Sequence, residues 1–130
     1  MSNLEAPALR KLVPLCAALA AIGAIALPVS SAGAGTGFTI KEKQWSISKP
    51  PALKHGVTYT IAVDNIGTYP HDLLIDGKGV SDRGIHNAHP IAPGKSASFT
   101  VKFPSAGTYR FYCAIKGHAA KGMQMNVKVS

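Results

Sequence analysis

A chain of 130 residues holds one domain at most, with room for an appendage. A hydrophobic fraction of 46% and a charged fraction of 15% exclude a disordered chain. A formal net charge of +8 favours acidic partners or anionic surfaces at long range. The basic residues are scattered singly through strand-like segments, which argues against nucleic acid.

The appendage is N-terminal. Arg10 and Lys11 form a basic region, Leu12 to Val29 carries no charge, and the small residues SSAGAG follow. Ser30-x-Ala32 or Ala32-x-Ala34 suits a signal-peptide cleavage site. Residues 1–32 are therefore expected to be a signal peptide. The apolar run approaches the roughly 20 residues of a spanning helix, so an uncut membrane anchor is the alternative. Cys16 lies in this run as apolar filler, because Val-Pro-Leu before it makes a poor lipoprotein signal. The folded domain is then 33–130, exported to a periplasmic or other extracytoplasmic space, with or without a membrane anchor.

After Gly37 the chain reads as short strands divided by turns. Phe38–Glu42 alternates apolar and polar, and Gln44–Ser48 does so again, with Trp45 and Ile47 on one face. Lys49-Pro50-Pro51 stops that strand. Val57–Asn65 is the longest alternating run. Ile66 to Pro70 is a turn, and His71–Asp76 is strand-like up to Gly77. Val80–Pro93 shows no clear period and reads as a loop. Ser96–Phe103, Thr108–Cys113 and Gln124–Val129 alternate once more. Seven to eight short strands without helical periodicity predict an all-β antiparallel sandwich or barrel.

The last quarter carries the chemistry. Cys113, His118 and Met123 stand in the pattern C-x4-H-x4-M. A soft thiolate, an imidazole and a thioether on one turn are donors that favour copper over zinc, calcium or magnesium. Gly117 and Gly122 each directly precede one of these residues and free the backbone to turn tightly. Once a leader is cut, Cys113 is the remaining cysteine, and a lone thiol in an oxidising compartment needs a reason such as metal ligation. A second imidazole must come from elsewhere. His71, starting a strand after Gly67 and Pro70, is the best placed.

These residues together resemble the cupredoxins, the plastocyanin and azurin family of small type-1 blue-copper proteins. The matching pieces are Asn65-x-Gly67-x-x-x-His71-Asp72, Pro93-Gly94, Ala106-Gly107-Thr108-Tyr109-x-Phe111-x-Cys113, Gly117-His118 and Gly122-Met123. The ligand loop is most similar to those of rusticyanin and auracyanin. The resemblance implies a Greek-key β-sandwich and an exported one-electron carrier without catalytic turnover. It implies one copper ion, cycling between Cu(I) and Cu(II), on His71, Cys113, His118 and Met123. Asp72 stands where the family often has Asn. Its carboxylate is expected to favour Cu(II).

Other residues have plainer readings. Met125 breaks the ligand spacing and reads as core, as does Trp45. Tyr109 is expected at a sandwich corner. His55 reads as solvated, and His86 and His89 as surface histidines, a second metal there lacking further ligands. Lys116 and Lys121 flank His118 and are expected to steer acidic redox partners onto a monomer, with docking over His118 itself. A multicopper oxidase would carry His on both sides of the cysteine, where this chain has Tyr112 and Ala114. A copper-delivery protein without a redox partner is the remaining alternative.

Overall fold

Alternating side chains point to opposite faces of a strand, and the alternating segments form strands in the computed structural model, which describes residues 36–130. The leader expected over 1–32 lies outside the described residues. In chain order the strands are β1 (Thr36–Lys43), β2 (Ser46–Ile47), β3 (Thr58–Asn65), β4 (Leu73–Gly77), β5 (Val80–Ile85), β6 (Ser96–Lys102), β7 (Gly107–Tyr112) and β8 (Gln124–Val129). They make two four-stranded sheets, ordered β2-β1-β3-β6 and β5-β4-β7-β8. This is the all-β sandwich expected. Its ladders are antiparallel apart from β1 and β3, which run parallel with Thr36 opposite Tyr59 and Glu42 opposite Asn65.

The inward faces supply the core. Ile61 and Val63 from β3, Leu73 and Ile75 from β4, and Tyr109 and Phe111 from β7 are buried against Phe103 and Ile40. Phe103 meets Tyr109 edge to face at 4.8 Å and Tyr59 at 5.9 Å. Burying each such ring stabilises the fold by about 1.5–3 kcal/mol. The Tyr109 hydroxyl donates back to the Ser105 carbonyl at 2.8 Å and lies 3.0 Å from that of Lys78. That closes the corner anticipated for it.

Two expectations need correction. Val80–Ile85 is an edge strand, not loop. Val80 is its one buried side chain, so it lacks the apolar alternation that marks a strand packed on a core. Gly84 lets β5 close onto β4, since a Cβ there would run into the Leu73 carbonyl. Trp45, in turn, does not share a strand face with Ile47. It sits with Gln44 in the turn between β1 and β2, half-buried against the edge of the core.

Glu42 breaks the pattern from inside. It lies on β1 with its side chain fully buried and neither carboxylate oxygen partnered. Burial, reinforced by the Asp72 carboxylate, pushes its pKa up to about 8. The folded protein holds this proton where the unfolded chain has lost it, so stability falls as pH rises between 4.5 and about 8. Glu42→Gln is expected to remove this dependence. From pH 5 to pH 8 the wild-type Tm should fall on the order of 15 °C more than that of the variant, by calorimetry. Parallel curves would contradict the assignment.

Candidate metal centre

β7 ends at Tyr112 and β8 begins at Gln124, opposite one another in register. The ladder continues one step past the strands, where the Cys113 N–H donates to the Met123 carbonyl at 3.0 Å. The intervening loop is therefore closed at its neck. Within it, the His118 N–H donates to Ile115 O at 2.9 Å, and His118 O accepts from the Met123 N–H at 3.1 Å. A short 3-10 turn, Ala119–Lys121, starts at His118 and ends on Gly122, whose φ is +118°. Gly117 has φ +84°. Both glycines flanking the turn thus occupy the left-handed region that side chains disfavour, as their places in the motif foretold.

The second histidine comes from the loop between β3 and β4. Asn65, at the end of β3, fixes that loop. Its side-chain amide donates to Tyr69 O at 2.7 Å and to Ile91 O at 2.8 Å, and its Oδ1 accepts from the Gly67 N–H at 2.9 Å. His71 follows, bridged to Ile91 by paired backbone hydrogen bonds of 3.1 and 2.7 Å. Asn65 opens the Asn65-x-Gly67 stretch of the motif. Its Asn-x-Gly spacing is the signal of a side-chain-closed turn.

These two loops meet. His71 Nδ1 and His118 Nδ1 are 3.3 Å apart, and Cys113 Sγ lies 3.4 Å from His118 Nδ1. One donor atom from each of the three residues falls within 4.8 Å of the others. Met123 is fully buried and joined through its backbone to both Cys113 and His118. Four sequence-predicted residues therefore converge at one end of the sandwich. His55, His86 and His89 are exposed and stand apart from this cluster.

The electrostatics suit a cation. Burial lowers the pKa of both imidazoles, the neighbouring His118 adding to the effect on His71 and Lys121 adding to that on His118. Burial also pushes the Cys113 thiol up to about 12. Without an ion the donors are thus held neutral, with lone pairs crowded together. A soft cation between them would convert that crowding into ligation, and two nitrogens with a sulfur fit copper.

Asp72 ties the two loops together. Its Oδ1 accepts from the Ala114 N–H at 2.6 Å, while its buried Oδ2 has no partner. Burial raises its carboxyl pKa, and the Ala114 hydrogen bond opposes the rise. Above the site, Trp45 packs edge to face on His118 with ring centroids 5.0 Å apart. His118 is only 9% exposed. The sequence does not announce this contact, because a lone Trp near an alternating run looks like core.

A family model described as copper binding proteins, plastocyanin/azurin family, matches residues 49–130. The chain is 30% identical over 92 residues to the multicopper oxidase mco of Staphylococcus aureus, covering 69% of this chain and 20% of that protein. It thus spans about a fifth of that relative's length. In fold it is similar to the reduced auracyanin of the photosynthetic bacterium Roseiflexus castenholzii, with a TM-score of 0.60 at 23% identity over 75% of this chain and 99% of that one. Auracyanin B gives a TM-score of 0.61 at 15% identity, covering 74% and 89% of the two chains.

Asp72→Asn keeps an acceptor for Ala114 and removes a negative charge beside the site. The copper reduction potential is expected to rise by on the order of 100 mV, the effect of one charge several ångströms away at an effective dielectric near 20. Protein-film voltammetry checks this, and an unchanged or lower potential would count against a charged Asp72.

Proposed function

The chain belongs to the plastocyanin/azurin family of copper-binding proteins, and on that premise we propose that it carries single electrons between redox proteins outside the cytoplasm. The observation that carries this reading is the meeting of two imidazole Nδ1 atoms and one thiol sulfur within 4.8 Å in a buried pocket. We assign His71, Cys113 and His118 as the strong ligands and Met123 as the weak axial thioether. Copper bound there would supply a reversible one-electron couple.

The protein's own residues do the rest. The closed neck at Cys113 and Met123 fixes sulfur and thioether relative to one another. Asn65 and the Ile91 bridge fix His71. Asp72 locks the two loops through Ala114. Ligands held by a packed frame move little when the charge at the site changes, which suits rapid electron exchange. Burial of all four side chains keeps bulk water from the donors.

One consideration favours a carrier over an enzyme. Tyr112 and Ala114 flank Cys113, so no imidazole next to the thiolate leads toward further metals. A copper-delivery role without a redox partner suits the site less well, since cargo must be released and a buried thiolate holds it. Export to an extracytoplasmic space agrees with the leader-like residues 1–32 and with the single cysteine of the described domain. A monomer steered by Lys116 and Lys121 toward acidic partners completes the reading.

The Cu(II)-loaded protein should show an intense thiolate-to-copper absorption in the red and a narrow copper hyperfine splitting. Cys113→Ser should abolish the band. Met123→Leu should keep the band and raise the potential, because the axial donor tunes it. A colourless Cu(II) complex of the wild type would refute the electron-carrier assignment.

A further inference from the structure

Two large hydrophobic residues stand out as exposed among the described residues, Ile66 and Tyr69, each at 55%. Both lie in the loop between β3 and β4 that delivers His71 to the metal centre. A soluble surface seldom presents such residues together without a use. Tyr69 stacks on Trp45, with centroids 6.0 Å apart and planes at 28°. Trp45 in turn packs on His118. A continuous run of aromatic rings therefore leads from a metal-centre imidazole to an exposed phenol.

The run is held in place from several sides. The Gln44 side chain hydrogen-bonds to Thr68 through both its oxygen and its nitrogen. That clasps the β1–β2 turn to the loop bearing Tyr69. The Lys121 ammonium sits 4.0 Å above the Trp45 ring, where the negative face of the indole attracts it. Gly122 lies so close that a Cβ would come within 2.9 Å of the Trp45 carbonyl. Pre-ordered aromatic side chains lose little entropy on being covered, which is why they anchor interfaces.

Charge selects the partner. The segments that make up this face are 43–46, 66–70 and 114–122. They carry Lys43, Lys116 and Lys121, all exposed, and no acidic residue. An apolar centre with a cationic rim fits an acidic partner with a flat apolar contact. We infer that Trp45, Tyr69 and Ile66 form the docking surface for an acidic redox protein, and that the partner meets this aromatic run rather than the edge of His118. The inference rests on the electron-carrier reading and deepens it. In the exchange itself one electron passes between partner and copper, and the rings are neither oxidised nor reduced.

A plant-type ferredoxin, an acidic one-electron carrier, serves as the probe. Adding it in its oxidised form to the isotope-labelled protein, both metal-free and Cu(I)-loaded, should perturb amide signals of Lys43–Ser46, Ile66–Tyr69 and Lys121. Perturbations centred instead on Arg83 and Lys102, or on Lys128, would overturn the inference. In stopped flow, reduced ferredoxin gives one electron to the Cu(II) protein, its iron centre being oxidised as Cu(II) becomes Cu(I). Tyr69→Ser and Trp45→Leu should each slow this reaction about tenfold at low salt, the scale of losing an aromatic anchor, with the potential unchanged in Tyr69→Ser. Tyr69 is exposed, so its replacement does not endanger the fold. Unaltered rates in both variants would overturn the docking surface, and a faster Trp45→Leu would make the indole a shield instead. Failure of the wild type to form a copper–thiolate band would sink the carrier reading alone, because the signal mapping does not depend on it.

Discussion

One backbone hydrogen bond sets the geometry on which this protein depends. The Cys113 N–H reaches the Met123 carbonyl at 3.0 Å, one step beyond the β7–β8 ladder. It turns a surface loop into a closed ring with a sulfur at each side of its neck and His118 within it. Loops generally tolerate rearrangement better than the strands they join. This one is an extension of a sheet, so its donors inherit the sheet's rigidity. The opposing loop reaches the same end of the sandwich by another device, the Asn65 side chain, which takes up two carbonyls and one N–H that would otherwise compete for water.

The price of the arrangement is a set of buried polar groups that the polypeptide leaves unsatisfied. His71 Nε2, one oxygen of Asp72 and both oxygens of Glu42 have no hydrogen-bond partner. Unpaired groups of this kind each destabilise a fold by about 1–3 kcal/mol. They cluster toward one end of the molecule, while the core around Phe103 and Tyr109 is apolar. Strain confined to a functional end and offset by a well-packed remainder is the pattern expected of a site built for a ligand.

The reach of the sequence differed from element to element, for physical reasons. Strands with one face on the core announced themselves by alternation, as Val57–Asn65 did for β3 (Thr58–Asn65). β5 escaped because Val80 is its one buried side chain, which leaves no alternation to read. The parallel course of β1 and β3 was invisible, since alternation carries no information on direction. At the metal centre the spacing of Cys113, His118 and Met123 was informative because three donors and two glycines in one short loop are seldom all needed for packing. His71 followed from its place after a turn. Trp45 and Glu42 were missed because their roles arise from contacts between segments: the indole with His118, the carboxyl with the field of Asp72. A composition-level reading makes the first a core residue and gives the second no place inside the protein.

The central claim is that two imidazoles and one thiolate, drawn from separate loops, hold a single copper ion. X-ray absorption at the copper edge of the loaded protein tests it most directly. The account predicts one short copper–sulfur shell and two imidazole nitrogens in both valence states, with the sulfur shell lost in Cys113→Ser and one nitrogen lost in His71→Ala. A first shell of oxygens, or a nitrogen count indifferent to His71, would contradict it.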